Sequence, residues 1–191
     1  MAKQTLQAVI EGTLMAALAA ALTMTVPTVE WIDLSLGIIP IVLVSLRRGW
    51  KIGVYAGLLW GILPVLFGRA EILTVWQGIL EYPVASMSVG LAGIWASRFH
   101  AALRANRPVF HWIMVACLTG VGVKYLIHFY AGIVFWGAYV QWGLGPVAYS
   151  AVVNGSSFVL NMVISTTVLE ILLRHLPHLG GSIPDKTNNR R

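Results

Sequence analysis

Leu73-Thr74-Val75-Trp76-Gln77-Gly78-Ile79-Leu80-Glu81-Tyr82-Pro83-Val84-Ala85-Ser86-Met87-Ser88-Val89-Gly90-Leu91-Ala92-Gly93-Ile94-Trp95 contains one charged side chain, Glu81. A continuous apolar run of this length reads as a membrane-crossing helix. A carboxylate placed inside such a helix is costly, and by default it marks a functional site with a partner of its own. The whole chain has to suit a bilayer if this stretch lies in one.

The composition agrees. The 191 residues are 58% hydrophobic and 10% charged, against about 25% charged in a soluble domain. Mean hydropathy is +0.77. The length suits a single domain of about six helices of roughly 20 residues each. A transmembrane barrel is disfavoured because the apolar runs are continuous and do not alternate. The net charge of +6 does not point to nucleic acid, since the basic residues sit in short loops where topology explains them. Cys117 is the only cysteine, which excludes an intrachain disulfide and a cysteine-cluster metal site. A cleaved leader fits the N-terminus poorly: Lys3 is its only basic residue, Glu11 interrupts the run, and further spans follow.

Six apolar segments are expected, at about Leu6–Val26, Leu34–Leu46, Ile52–Phe67, Ile72–Ala96, Phe110–Trp136 and Val147–Leu173. The second is too short to span unaided and holds Pro40. Residues 1–176 form one domain in this reading, and the polar tail 177–191 is expected to be mobile. With six spans, Lys3, Arg47, Arg48, Lys51, Arg98, Arg104, Arg107, Arg174, Lys186, Arg190 and Arg191 fall on one side. The other side carries Arg69 with Glu30, Asp33 and Glu71. This asymmetry places both termini in the cytoplasm. No internal repeat is evident, which argues against an inverted-repeat transporter.

Helical rise gives the depth of the embedded polar residues. Glu81 lies roughly 13 Å, His128 roughly 12 Å and Asn154 roughly 10 Å below the outer ends of their segments. Three polar side chains from three helices thus share one level, with Tyr82, Trp136, Tyr149 and the loop residue Trp31 around and above them. The pattern describes an outward-opening pocket with a polar floor and aromatic walls. Plainer readings stand beside it: a structural Glu81 paired with Lys124 or His128, an Asn154 bonding between helices, and an interfacial aromatic belt. The belt suits Trp50, Trp60, Trp95, Trp112 and Trp142 best. Lys124, one turn from His128, neutralises Glu81 or Glu170 or snorkels toward the cytoplasm. A carboxylate in a dry pocket favours a cation or a strong donor, and indole and phenol faces hold flat cations. The expected ligand is small, flat, heteroaromatic and amine-bearing or cationic. Ala17 and Ala21 share a face of the first helix and allow another helix to approach, from inside the bundle or from a partner.

Several chemistries are absent. There is no phosphate loop for ATP hydrolysis and no His-Glu-x-x-His zinc signature. An intramembrane hydrolase is considered because Asn154-Gly155-Ser156-Ser157 and His128 fall near one another, but the nucleophile-elbow pattern is missing. No cofactor is expected.

Several stretches carry a family resemblance: Ser35-Leu36-Gly37-Ile38-Ile39-Pro40 running on to Leu46-Arg47-Arg48-Gly49; Glu81-Tyr82-Pro83; His128-Phe129 with Ala131-Gly132 and Phe135-Trp136-Gly137; and Tyr149 with Asn154-Gly155. On these, over about residues 6–175, the chain resembles the thiamine-specific substrate-binding (S) components of energy-coupling-factor (ECF) vitamin transporters. The resemblance implies a six-helix protein of the bacterial plasma membrane that captures thiamine from outside. It implies that Glu81, His128 and Tyr149 hold the aminopyrimidine, that Trp136 and Trp31 stack on the thiazolium, and that Tyr82 and Asn154 meet the hydroxyethyl end. Glu71 stands where the family pattern has an aromatic residue, so the lid contacts depart from that pattern. The resemblance also assigns Ala17 and Ala21 to docking on a transmembrane coupling protein, with two cytoplasmic ATPases supplying energy while the subunit topples in the membrane. The alternatives are an S component for another amine-bearing heteroaromatic vitamin, or the hydrolase.

Overall fold

The computed structural model describes residues 2–25 and 31–181. Across them the regular structure is helical, with no β-sheet. The longer helices among the described residues are α1 (Ala2–Thr25), α2 (Ile38–Arg48), α3 (Trp50–Leu66), α4 (Val75–Arg104), α5 (Phe110–Val134) and α6 (Pro146–His175). Lys3–Thr25, Val75–Arg104, Phe110–Val134 and Pro146–His175 are long and apolar enough to cross a membrane, while Trp50–Leu66 is apolar but shorter. The expected outer acid Glu30 and the tail beyond residue 181 lie outside the described residues.

The eleven-residue α2 is too short to span unaided and sits at the centre. Ile38, Pro40, Ile41, Val42, Leu43, Val44, Ser45 and Leu46 are all buried, as expected of a helix apolar on every side. It packs on α1, α3, α4, α5 and α6. A single residue, Gly49 at φ 85°, joins it to α3, a backbone turn that suits only glycine at low cost. Both arginines at the end of α2 pair with Glu11, which sequence had marked only as an interruption of the first apolar run. Arg47 and Arg48 reach its two carboxylate oxygens, Arg48 Nη2 at 2.6 Å. Arg47 also donates to the carbonyls of His178 and Leu179, so the start of the polar tail, expected to be mobile from residue 177, is docked as a 3-10 turn at Pro177–Leu179.

The helix α4 departs most from expectation. It begins at Val75, where Thr74 Oγ1 accepts from the Gln77 amide at 3.1 Å, and runs past the expected Ala96 to Arg104. It ends ahead of Asn106, at φ 51°, and Pro108. Within it, Leu80–Val84 forms a π-helical turn and Val89–Trp95 a 3-10 stretch. Pro83 accounts for the π turn: proline has no N–H to give and its ring crowds the carbonyl one turn back, so the helix widens there. Glu81 and Tyr82 lie on that widened turn.

A glycine stripe on α3 holds the turn from behind. Gly53, Gly57 and Gly61 recur every four residues and face the backbone of α4. A Cβ on Gly57 would stand 2.5 Å from the Ser86 carbonyl, and one on Gly61 would meet the Tyr82 carbonyl with Pro83 Cα at 2.8 Å. The two helices therefore run backbone to backbone, as small residues allow in a bilayer.

Candidate functional site

The C-terminal ends of α1, α3 and α5 and the N-terminal ends of α2, α4 and α6 meet at one end of the bundle, around two adjoining cavities. One, about 470 Å³, is lined by Trp31, Glu81, His128, Trp136, Tyr149 and Asn154 among others. The other, about 460 Å³, is lined by Asp33, Arg69, Glu81, Tyr82, Lys124 and His128 among others. Glu81 and His128 form the wall they share. Either volume suits a small-molecule ligand. All seven expected binding residues line one cavity or both, and Glu81, His128 and Asn154, inferred from helical rise to share a depth, line the 470 Å³ cavity together.

Glu81 is held by protein donors. Trp136 Nε1 donates to its two oxygens at 3.0 and 3.2 Å, and Gln77 Nε2 donates to Oε2. Gln77 is fully buried and was not foreseen as part of the site. Its Nε2 also donates to the Glu71 carbonyl at 3.2 Å, and its Oε1 accepts from the Leu73 amide at 3.0 Å. It therefore fixes the loop before α4 and the carboxylate at once. The sequence signal was present: a glutamine four residues before a glutamate in an apolar helix. The Tyr82 hydroxyl accepts from the Glu71 amide at 2.7 Å and donates to its carbonyl at 3.3 Å. Glu71 thus meets Tyr82 and Gln77 through its backbone, and it is among the residues that line the 470 Å³ cavity.

His128 Nε2 is buried and has no hydrogen-bond partner among the described residues. A buried polar atom left in this state costs about 1–3 kcal/mol, and a ligand in either cavity can supply the missing bond. Asn154 spends its amide N–H on the Ser150 carbonyl and hydroxyl, both at 3.1 Å, which leaves its carbonyl as an acceptor.

Lys124 is the main correction. It pairs with neither Glu81 nor Glu170 but with Asp33, at the cavity end of the bundle. Its Nζ lies 3.0 Å from Asp33 Oδ2 and 4.3 Å from the Tyr125 ring centroid. Glu170 pairs with Arg174 one turn on. Asp33, read from sequence as an outer-loop acid, folds inward and is held through its amide, its carbonyl and one carboxylate oxygen. Its amide donates to Ser157 Oγ at 3.0 Å, its carboxylate accepts from the Tyr125 hydroxyl at 2.9 Å, and its carbonyl accepts from Asn161 Nδ2 at 2.5 Å. Asn161 Oδ1 takes the Ser35 amide at 2.9 Å. Burial opposes the Asp33 charge, but Lys124, His128 and the Tyr125 hydroxyl outweigh it and hold the pKa below the ordinary carboxylate value. The anchor keeps Trp31, two residues earlier, over the site. Trp31 meets Trp142 edge-on at 5.8 Å and Tyr149 at 6.4 Å, with Trp142 and Tyr149 5.1 Å apart. Trp142, assigned from sequence to an interfacial belt, joins this aromatic cap with a left-handed backbone, φ 58°.

The serines of the hydrolase reading line neither cavity. Ser156 is exposed and bonds back to Val152 at 2.7 Å, and Ser157 serves the Asp33 anchor. Among the described residues no group of three or more His, Cys, Asp or Glu side chains is placed to hold a metal.

A chain whose described residues form helices, several of membrane length, around cavities walled by carboxylates and aromatic rings is a membrane-embedded binder of small molecules. Residues 9–180 match the family model described as thiamine transporter protein (Thia_YuaJ), and the chain belongs to that family, which makes it a multi-pass bacterial membrane protein. It is 39% identical to the thiamine transporter ThiT of Lacticaseibacillus paracasei over 178 residues, covering 90% of this chain and 89% of that protein. It is 30% identical to ThiT of Bacillus subtilis over 149 residues, covering 77% and 78%. Among solved structures, ThiT from Listeria monocytogenes superposes with a TM-score of 0.89 at 33% identity, covering 93% of this chain and 98% of that one.

Proposed function

We propose that this chain is the thiamine-capturing S component of an ECF importer and that Glu81, His128, Tyr149, Asn154, Trp136, Tyr82 and Trp31 bind the vitamin. The observation that carries the reading is the shared wall: a carboxylate and an unpartnered buried imidazole nitrogen side by side under an aromatic cap. The aminopyrimidine supplies an exocyclic amine and ring nitrogens for Glu81, His128 and Tyr149. The thiazolium supplies a flat cation for Trp136 and Trp31, and its hydroxyethyl group reaches Tyr82 and the Asn154 carbonyl.

The topology that fits this role has six membrane segments, with α2 and α3 completing the four longer helices, and both termini in the cytoplasm. The arginine-rich end of the bundle then faces inward and the cavities face outward. Residues 1–176 act as one domain, with a short cytoplasmic tail after it. Ala17 and Ala21 are exposed on α1 beside Leu14 and Leu18, which supports docking on a transmembrane coupling protein driven by two cytoplasmic ATPases.

Titrating the purified protein with thiamine while following tryptophan fluorescence tests the assignment. Thiamine should quench the native protein, and Glu81→Gln should weaken binding by about 2–5 kcal/mol, as loss of a desolvated charge-assisted contact does. Unchanged affinity in Glu81→Gln removes the site. Quenching by a different amine-bearing heteroaromatic vitamin and not by thiamine replaces the ligand while keeping the pocket.

A further inference from the structure

Gln77 is completely buried, although its neighbours Val75 and Trp76 are 73% and 75% exposed. An amide on the inward side of a membrane-facing helix has to find its hydrogen bonds within the protein. Its partners dictate which way it points. The Leu73 amide can only donate, so Oε1 faces it. The Glu71 carbonyl and the Glu81 carboxylate accept, so Nε2 faces them. Turning the amide over would break all three contacts at once.

These bonds close a ring around the binding residues of the π turn. Gln77 Nε2 joins Glu81 to the Glu71 carbonyl, the Tyr82 hydroxyl donates to the same carbonyl at 3.3 Å, and Tyr82 follows Glu81 in the chain. The Glu71 main chain is thus a common fixed point for both. The start of α4 is held as well: Thr74 Oγ1 takes the Gln77 amide at 3.1 Å, and Gly78 packs against Ile72, whose Cγ2 lies 3.2 Å from where a Cβ would stand. Trp136 reaches the carboxylate from α5, outside this ring. Its single N–H is divided between the two oxygens at 3.0 and 3.2 Å, whereas Gln77 bonds Oε2 alone. Of the two donors, the shared indole is the one an incoming group can displace without opening the ring.

We propose that Gln77 is a positioning residue for the ligand's exocyclic amine. It keeps Oε2 when the pocket fills, and so presents Oε1 and the place left by Trp136 to the amine. This rests on the proposed placing of the thiamine amine at Glu81. A side chain with no exposed surface has none to offer a ligand, so Gln77 acts through Glu81. Without it the carboxylate can turn toward Lys124 and Arg69, which line the 460 Å³ cavity with it. Only a ligand that carries the amine should register that change.

The test is fluorescence titration of the purified full chain with thiamine and with its desamino analogue, which has hydrogen in place of the exocyclic amine. Thermal unfolding is followed in the same samples. Gln77→Met keeps the length of the side chain and removes its hydrogen bonds. It should weaken thiamine binding about tenfold or more, the lower end of what a charge-assisted hydrogen bond contributes, and change the affinity for the analogue by less than about twofold. Thr74→Ala loosens the start of α4 without touching the carboxylate, and should shift both ligands by the same factor. An equal loss of both ligands in Gln77→Met overturns the proposal, because Gln77 then only packs. Tighter thiamine binding in Gln77→Met also overturns it, because Gln77 then competes with the amine for Oε2. Where Gln77→Met does not fold, Gln77→Asn replaces it: an amide one methylene shorter cannot span Glu71 and Glu81, and native thiamine affinity in that variant overturns the proposal. Equal affinity of the native chain for the two ligands refutes instead the placing of the amine at Glu81, and failure of thiamine to bind at all refutes the functional reading itself.

Discussion

Gly61→Ala places a methyl group where α3 meets the π turn of α4. The new Cβ would stand 2.8 Å from Pro83 Cα and closer still to the Tyr82 carbonyl. Carbon atoms in contact prefer about 3.5–4.0 Å, so the helices must part locally by about 0.7–1.2 Å. Both opposing surfaces are backbone, so no rotamer change can absorb the shift. Overpacking of this kind costs about 1–3 kcal/mol of stability. The displacement falls on the turn that carries Glu81 and Tyr82, while His128 and Asn154 on α5 and α6 stay in place. Binding geometry tolerates only about 0.5 Å. The expected loss is therefore one charge-assisted hydrogen bond, about 1.5–3 kcal/mol, or roughly 10- to 150-fold in the thiamine Kd. Gly53→Ala is the control. It lies two turns away on the same stripe, with its Cβ against the buried Ser45 hydroxyl of α2 and 2.8 Å from the Gly90 carbonyl of α4, and it should lower the unfolding temperature at least as far with little change in Kd. Thermal unfolding and fluorescence titration of both variants decide the matter. If Gly61→Ala loses stability like Gly53→Ala and binds thiamine as tightly as the native chain, the stripe only packs helices and does not position the site.

Asp33→Asn leaves buried Lys124 without a counter-charge. Because the carboxylate is 48% exposed, the loss is discounted to about 1–2 kcal/mol, read as a lower unfolding temperature together with weaker thiamine quenching as Trp31 loses its anchor. The depressed Asp33 pKa means that its contribution is complete above the ordinary value of 3.8 and is lost as pH falls through the lower folded value; this anchor should add no pH dependence to binding between pH 5 and pH 8, checked by titrations across that range. Ser157→Ala removes the acceptor for the Asp33 amide and should cost about 0.5–1.5 kcal/mol, whereas Ser156→Ala should leave both melting and titration curves unchanged. Ala17→Trp should abolish uptake in cells while purified protein still binds thiamine, and uptake that survives would remove α1 as the docking face.

The apolar runs of α1, α5 and α6 were readable because a bilayer demands length and hydrophobicity from each spanning helix, and both are properties of composition. The level of Glu81, His128 and Asn154 was readable for the same reason, since helical rise is fixed. The extension of α4 to Arg104 was missed because arginines marked a loop, although nothing before Asn106 and Pro108 stops a helix. The role of Asp33 was hidden because its partners, Lys124, Tyr125, Ser157 and Asn161, lie far along the chain on α5 and α6. Glu11 with Arg47 and Arg48 was hidden likewise: charges that served to assign topology turned out to be an interhelical cluster. Gln77 lay in plain view, but an uncharged amide in an apolar helix draws attention only once its hydrogen bonds are seen.

The three donor contacts on Glu81 have a consequence for selectivity. The carboxylate is not bare when the pocket is empty, so a ligand gains only the difference between its own contacts and those of Trp136 and Gln77. A guest that brings charge without hydrogen has nothing to exchange for an indole N–H. Tetraalkylammonium ions such as tetramethylammonium should therefore be rejected at Glu81 despite their matching charge. Within thiamine the same filter sorts the two rings. In the proposed binding mode the thiazolium nitrogen carries no proton and the exocyclic amine of the pyrimidine carries two, so the second takes the indole's place on the carboxylate and Trp136 turns its face to the cation.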